Sequence, residues 1–423
     1  MEKLTAFLEN AYTTYHACEL IKTRLTENGF TQLKERADWT IREGGKYFVE
    51  RAGGALIAFI VGGLDNFSYK IAAAHLDSPA LKLKTEPIEK KQGVCTLNVE
   101  AYGGGIWYSF FDKPLKIAGR VVKNDNGRVY TQTVTSPFRL VVPSLAIHQN
   151  RAVNDGFAPN LQTDMQPLLS LADAQCEWLE EIVHGENVVG YDLFVVSDQA
   201  PFAFGANDEF LCSPRVDDLT SVCASLDALL ACAESDGICV AAFFDAEEIG
   251  SRTLQGADGN FLGNTLRRIA YELRFDDQEY AKAISASFLL SVDNGHAVHP
   301  AHPEKADTTN KCLLGGGVIV KSHAGGAYTT SGVSGGVVKT VFDKAGVKRQ
   351  DFYNRSDMRS GATIGAAIVT KTGMTGADIG IAQLAMHAAC ECFAKSDYEE
   401  LVNGLTAFYS TNILAEDDGF VIQ

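Results

Sequence analysis

The sequence predicts an α/β protein in which a central mixed, mostly parallel sheet is flanked by helices and interrupted by a mainly-β insertion. Three observations predict it. Apolar runs of strand length at 55–61, 69–74, 238–244 and 286–292 carry the unbroken pattern of strands covered on both faces. Helical spacing recurs at 1–29 and again at 222–230. Between about 85 and 212 the composition shifts to short segments rich in Val, Thr, Tyr and Ile, separated by turn signals such as Gly103-Gly104-Gly105 and Asn124-Asp125-Asn126-Gly127. The expected organisation is therefore a discontinuous α/β part, 1–84 and 213–423, around an insertion at 85–212.

Taken in order, residues 1–29 place Leu4, Phe7, Leu8, Ala17, Ile21 and Leu25 on one helical face and stop at Asn28-Gly29, a pair suited to a helix C-terminus. Residues 47–50 and 55–61 read as paired strands with a glycine turn. The next strand, 69–74, runs directly into His75-Leu76-Asp77-Ser78-Pro79. Inside the insertion, 163–183 reads as helical, and Pro143 to Arg151 carries a lone His148 after an apolar run. The α/β character returns at Pro214-Arg215-Val216-Asp217-Asp218, where two aspartates open a helical pattern and one is suited to cap it. The strand at 238–244 ends in Asp245-Ala246-Glu247-Glu248, and the strand at 286–292 in Asp293-Asn294-Gly295-His296. Residues 381–391 read as an apolar helix holding His387.

At 423 residues the chain exceeds one ordinary core, which favours two domains or a domain with an insertion. An apolar fraction of 46% with 21% charged residues is that of a globular protein. The net charge of -16 excludes nucleic acid and anionic membrane surfaces as partners, because no basic surface would neutralise phosphates. No apolar stretch is long enough to span a bilayer, and Met1-Glu2-Lys3-Leu4 lacks the layout of a signal peptide. The ten cysteines are scattered without a C-x-x-C pair and read as reduced core thiols in a cytoplasmic protein.

The chemistry lies at the strand ends. In an open α/β sheet, ligands bind beyond the carboxyl ends of the strands. Three such ends carry ligand-type residues: His75 with Asp77, Glu247 with Glu248, and Asp293 with His296. The first two have bland readings: a polar turn for the first, acids opening a solvated helix for the second. Their equivalent placement, with Asp217 and His387 added, is what overturns those readings. Adjacent glutamates after a buried strand repel unless a cation neutralises them, and a carboxylate one residue beyond a histidine can brace its imidazole. Oxygen and nitrogen donors without cysteine suit two zinc or similar divalent ions sharing a carboxylate.

These motifs resemble the aspartyl aminopeptidase family, within the dinuclear zinc aminopeptidases. The resemblance runs over nearly the whole chain: Ala74-His75-Leu76-Asp77-Ser78-Pro79, Tyr102-Gly103-Gly104-Gly105-Ile106-Trp107, Leu145-Ala146-Ile147-His148, Asp208-Glu209-Phe210, Pro214-Arg215-Val216-Asp217, Glu247-Glu248-Ile249-Gly250-Ser251, His296-Ala297-Val298-His299-Pro300 and Gln383-Leu384-Ala385-Met386-His387. It implies that Asp217 bridges two metals, that His75 and Asp293 complete one site, and that Glu248 and His387 complete the other. It further implies Asp77 as the brace of His75, Glu247 as general base and His296 at the substrate carbonyl. Zinc is the expected ion, with cobalt and manganese also accepted. The family fold implies that the insertion builds dimers, which assemble into a tetrahedral dodecamer in which the counterpart of His148 reaches a neighbouring active site.

The chain departs from the family pattern where specificity is expected. The family's Asn-x-x-Gln-Arg-Tyr is replaced by His323-Ala324-Gly325-Gly326-Ala327-Tyr328, leaving only Tyr328. A preference for acidic N-terminal residues needs a cation, for which Lys321, Arg355 and Arg359 are candidates. The rival functions are a same-clan deacylase or carboxypeptidase and a catalytically silent assembly protein. Retention of every ligand position and of Glu247 argues against the last.

Overall fold

A computed structural model describes residues 1–173, 178–183, 187–232 and 235–423. Its largest sheet has nine strands, and the four at its centre, Ile238–Phe244, Tyr69–His75, Phe288–Val292 and Thr375–Gly380, run parallel to one another. Antiparallel neighbours flank this group on both sides: Ala55–Val61 on Ile238–Phe244, and Val318–Lys321 on Thr375–Gly380. The sheet is thus mixed with a parallel heart, as expected.

The unbroken apolar runs follow from helices on both faces. Along Ile238–Phe244, Cys239, Ala241 and Phe243 enter one core, while Ile238, Val240, Ala242 and Phe244 enter the other. Strand side chains alternate between faces, so a strand covered twice has no polar positions. The first core takes the helices Glu2–Asn10, Thr14–Glu27, Val216–Ala231 and Lys395–Ser410. The second takes Phe261–Glu272 and Ile364–Thr372.

A separate six-stranded antiparallel sheet is built from strands between Ala80 and Ser197 and has its own apolar cluster around Leu81, Leu97, Ile117 and Leu193. The strand Phe210–Ser213 does not join it. It pairs with Glu391–Ala394 in a five-stranded sheet that also holds Ala382–Leu384 and Gly295–His296. That third sheet brings the C-terminal segment back beside the strand ends.

Three local expectations are corrected. The N-terminal helix is two helices, Glu2–Asn10 and Thr14–Glu27; the break at Ala11 to Thr13 turns Tyr12 toward the antiparallel sheet, where its hydroxyl donates to Asp198. The helical reading of 163–183 holds only for Trp178–Val183, because Leu168–Leu171 pairs as a strand with Val94–Thr96; residues 174–177 lie outside the described residues. The segment 381–391 is not a helix. It forms the strand Ala382–Leu384 and a turn in which Ala385 (φ 57°) and His387 (φ 69°) are left-handed, a conformation that ends any helix. No described helix is long and apolar enough to cross a membrane.

Candidate metal centre

The parallel register sets the site. His75 lies opposite Phe244, so the segment after Phe244 and the segment after His75 leave the sheet side by side. Asp77 joins them: Oδ1 accepts from the Glu247 N–H (3.1 Å), and Oδ2 from the Glu248 N–H (3.1 Å) and the Tyr102 hydroxyl (2.9 Å). Its Oδ1 also stands 3.5 Å from His75 Nδ1, and its backbone carbonyl 3.1 Å from the same atom. Glu247 and Glu248 form a single 3-10 turn, Glu247–Ile249, instead of opening a solvated helix, and the Glu248 side chain is buried.

Asp217 and Asp218 precede the regular part of their helix, with non-helical backbone angles and a cis peptide bond between them. Neither side chain caps the helix, which corrects the capping expectation: the helix is preceded by Arg215 in a left-handed conformation with no side-chain cap. The freed Asp217 carboxylate faces both ways. Its Oδ1 lies 3.4 Å from His75 Nε2 and its Oδ2 lies 3.5 Å from His387 Nε2. His387 Nε2 is also 3.3 Å from Glu248 Oε1.

Two groups of potential ligand atoms result, each within 4.8 Å: Asp217, Glu248 and His387, and His75, Asp218 and Asp293. Asp218 was not expected among them; its Oδ2 accepts from the His75 N–H at 3.3 Å. Sequence reasoning also missed Glu391, whose carboxylate accepts the His387 N–H (2.5 Å) and the Asp217 N–H (3.0 Å). Its one signal was a charge inside the apolar run Ala388-Ala389-Cys390-Glu391-Cys392-Phe393.

The electrostatics call for cations. Burial pushes Glu247 up to about 7, Asp293 to about 6 and Glu391 to about 8, and raises Asp218 and Glu248 well above the carboxylate range. Burial works against the charge on His75 as well, yet Asp217 and Asp77 lift its pKa well above normal; in the same way His387 is lifted to about 10 by Asp217 and Glu248. Asp217 Oδ1, Asp218 Oδ1 and Glu248 Oε1 are buried and have no hydrogen-bond partner in the protein. Buried carboxylate oxygens left without donors are costly unless a cation takes them, and an all-oxygen-and-imidazole set fits zinc.

The remaining candidates are scattered around this cluster. His296 lies at the rim, exposed on one side, with Phe352 beside its ring; surrounding protein and the Lys321 ammonium hold its pKa below normal. Lys321 is 1% exposed, and its ammonium donates to the carbonyls of Asp293 and Asn294, both at 2.9 Å. It therefore braces Asp293 from behind, 3.6 Å from that carboxylate, instead of standing open to a substrate side chain. Tyr328 is buried, and its hydroxyl accepts from Asn354 Nδ2 (3.2 Å). Arg355 pairs with Asp357, whereas Arg359 is exposed. His148 is exposed in a loop of the antiparallel part and makes no hydrogen bond or ion pair with the cluster among the described residues. Asp245, undecided from sequence, is half-buried at the end of its strand, with the surrounding protein and Asp77 pushing its carboxyl up to about 8.

Comparison with known proteins agrees with this chemistry. A family model described as Aminopeptidase I zinc metalloprotease (M18) matches residues 7–409. A probable M18 family aminopeptidase 2 of Clostridium acetobutylicum is 38% identical over 425 residues, covering 97% of this chain and 98% of that protein. Among solved structures, the cryo-EM structure of the Ape4 and Nbr1 complex matches with a TM-score of 0.92 and 31% identity, over 96% of this chain and 85% of the matched one. A dodecamer of S. cerevisiae mApe1 matches with a TM-score of 0.82 and 24% identity, over 96% of this chain and 95% of that one, and so shares the fold. The chain belongs to the M18 family of aminopeptidase I zinc metalloproteases and is a zinc aminopeptidase.

Proposed function

We propose that this aminopeptidase holds two divalent ions per chain, zinc first and cobalt or manganese as alternatives, with Asp217 spanning them. The observation that carries the proposal is the opposed placement of the two Asp217 oxygens, one toward His75 and one toward His387. His75 and Asp293 complete one position, and Glu248 and His387 the other; Asp218, engaged by the His75 N–H, steadies the first. When bound, such ions acidify a water molecule and polarise a scissile carbonyl.

The chain's own residues do the rest. Glu247 is oriented through its backbone N–H by Asp77, while its carboxylate stays outside the ligand groups. It is free to take the proton of the attacking water and deliver it to the leaving amine. Asp77 fixes the His75 ring, and His296 at the rim donates to the substrate carbonyl. A free α-amino group would be held at one of the ions, so peptides are shortened one residue at a time and N-acylated substrates are refused. For an acidic N-terminal side chain, Arg359 is the candidate cation, since Lys321 and Arg355 are already paired.

The segment at 85–212 is the dimer-forming part, and dimers build a tetrahedral dodecamer. Leu145 (65% exposed) and Ile147 (49% exposed) precede the exposed His148, an apolar stretch suited to burial against another copy. In that assembly His148 enters the neighbouring active site. Free thiols throughout the described cysteines accord with a cytoplasmic location.

Four measurements test these assignments. Glu247→Gln should lower peptide hydrolysis by about 10²–10⁴-fold with zinc content unchanged; near-normal turnover at full zinc would sink the general-base role. Glu391→Gln should weaken zinc retention against a chelator by about tenfold, because an amide cannot accept both the His387 and Asp217 N–H groups and turns a donor toward one of them. In a screen of aminoacyl substrates, Arg359→Ala should lower kcat/KM for Asp and Glu N-termini by about tenfold and leave Leu unaffected; equal losses on all substrates would remove Arg359 from specificity. His148→Ala should keep the native assembly mass while losing turnover, and unchanged turnover would exclude the intersubunit role.

A further inference from the structure

A pair of thiols stands at the end of the sheet away from the metal centre. Cys232 is the first residue past the helix Val216–Ala231, and Cys239 is the second residue of the strand Ile238–Phe244. The helix opens with Asp217, and the strand runs out toward Glu247 and Glu248. Each element therefore carries site residues at one end and a cysteine at the other. The two sulfurs are 3.7 Å apart, in van der Waals contact. Side-chain rotation has only to bring them to about 2 Å for a covalent bond. Neither cysteine belongs to the groups of potential metal ligands.

The surroundings are not those of inert core thiols. Cys239 Sγ lies 3.4 Å from the Ser235 hydroxyl and 3.6 Å from the Tyr409 carbonyl. The same carbonyl accepts from the Lys70 ammonium at 2.6 Å, and Lys70 is the residue opposite Cys239 in the parallel register. A lysine in the otherwise uncharged stretch 69–74 thus sets a positive charge near the sulfurs. The hydrogen bond with Cys239 and the ammonium groups of Lys70 and Lys46 hold Cys232 below the ordinary thiol pKa. That bond and burial push Cys239 well above it. Cys232 is therefore the sulfur that ionises first, and Cys239 keeps its proton. Both residues line an open groove of about 790 Å³, walled also by Lys46, Ser235 and Asp236. Cys232 is the more exposed of the two, 5% against 1%.

We propose that Cys232 and Cys239 are a peroxide-sensitive dithiol that closes reversibly to a disulfide. The Cys232 thiolate attacks one oxygen of hydrogen peroxide. An S–O bond forms, the O–O bond breaks, and hydroxide leaves and takes up a proton as water. The Cys239 sulfur then attacks the Cys232 sulfenic acid. An S–S bond forms, the S–O bond breaks, and the hydroxyl departs as water with the Cys239 proton. The two thiols lose two electrons, and the peroxide becomes two waters. The bond clamps the far end of the helix that opens with Asp217 to the start of the strand that leads to Glu247. A dithiol reductant reopens it.

The test uses the zinc-loaded protein, treated with hydrogen peroxide under native conditions, quenched with catalase and blocked with iodoacetamide. Cleavage before aspartate separates 227–235, which holds Cys232, from 236–244, which holds Cys239, and leaves Cys223 outside both. The expected product is these two peptides joined, lighter by two hydrogens than the unblocked pair, and parted again by dithiothreitol. Recovery of both cysteines in the blocked form overturns the proposal. So does a Cys232 carried to the sulfinic acid while Cys239 stays free, or joining seen only after denaturation. In Cys239→Ser the same treatment should stop at a Cys232 sulfenic acid that dimedone traps; no dimedone adduct would remove Cys232 as the attacking sulfur. If that variant does not fold, the native measurement decides. Zinc content should not change during oxidation, and zinc lost in step with joining would overturn the separation of this site from the metal centre.

Discussion

The carboxylate of Asp77 is the contact on which the site depends. It is buried, and it ties together three parts of the chain: the turn after its own strand, the backbone of Glu247 and Glu248, and Tyr102 from the antiparallel sheet. Parallel strands supply only adjacency. They do not fix how the chain leaves the sheet, and it is the pair of N–H groups on Asp77 that aims the two glutamates differently. One carboxyl is brought within reach of His387, and its neighbour is left outside both ligand groups. A charge-assisted acceptor of two backbone donors is among the stronger single interactions a buried carboxylate makes.

Around this anchor the protein concentrates negative charge that it does not neutralise itself. Lys321 is the buried ammonium beside Asp293, and its donors go to backbone carbonyls as well as toward that carboxylate. The unsatisfied oxygens of Asp217, Asp218 and Glu248 are the counterpart of that arrangement. A family of zinc enzymes is the natural home for such a cluster, since the metal resolves a cost that side chains leave open.

The parts legible in the sequence are those with a local cause. Doubly covered strands must be apolar throughout, so 55–61, 69–74 and 238–244 declared themselves, and charged residues directly after them were chemically out of place. What escaped was decided by contacts distant along the chain. The apolar segment 381–391 fits a helix by composition alone; the Glu391 carboxylate, taking the His387 and Asp217 N–H groups, holds it as a turn instead. Asp218 and Asp217 were equivalent as letters, and only the fold gives one a bridging aspect and the other the His75 N–H. Lys321 had the right charge for a pocket, but its depth in the sheet commits it to Asp293.

The third, five-stranded sheet has a consequence for how the protein comes into being. It joins Phe210–Ser213 to Glu391–Ala394 and Gly295–His296 to Ala382–Leu384, so the last pieces of the centre arrive only with the C-terminal segment. During synthesis, a chain carrying His75, Asp217 and Glu248 still lacks His387 and the Glu391 carboxylate that shapes its turn. Domains fold as their sequence emerges, and the grouping of Asp217, Glu248 and His387 closes only when nearly all of the chain has.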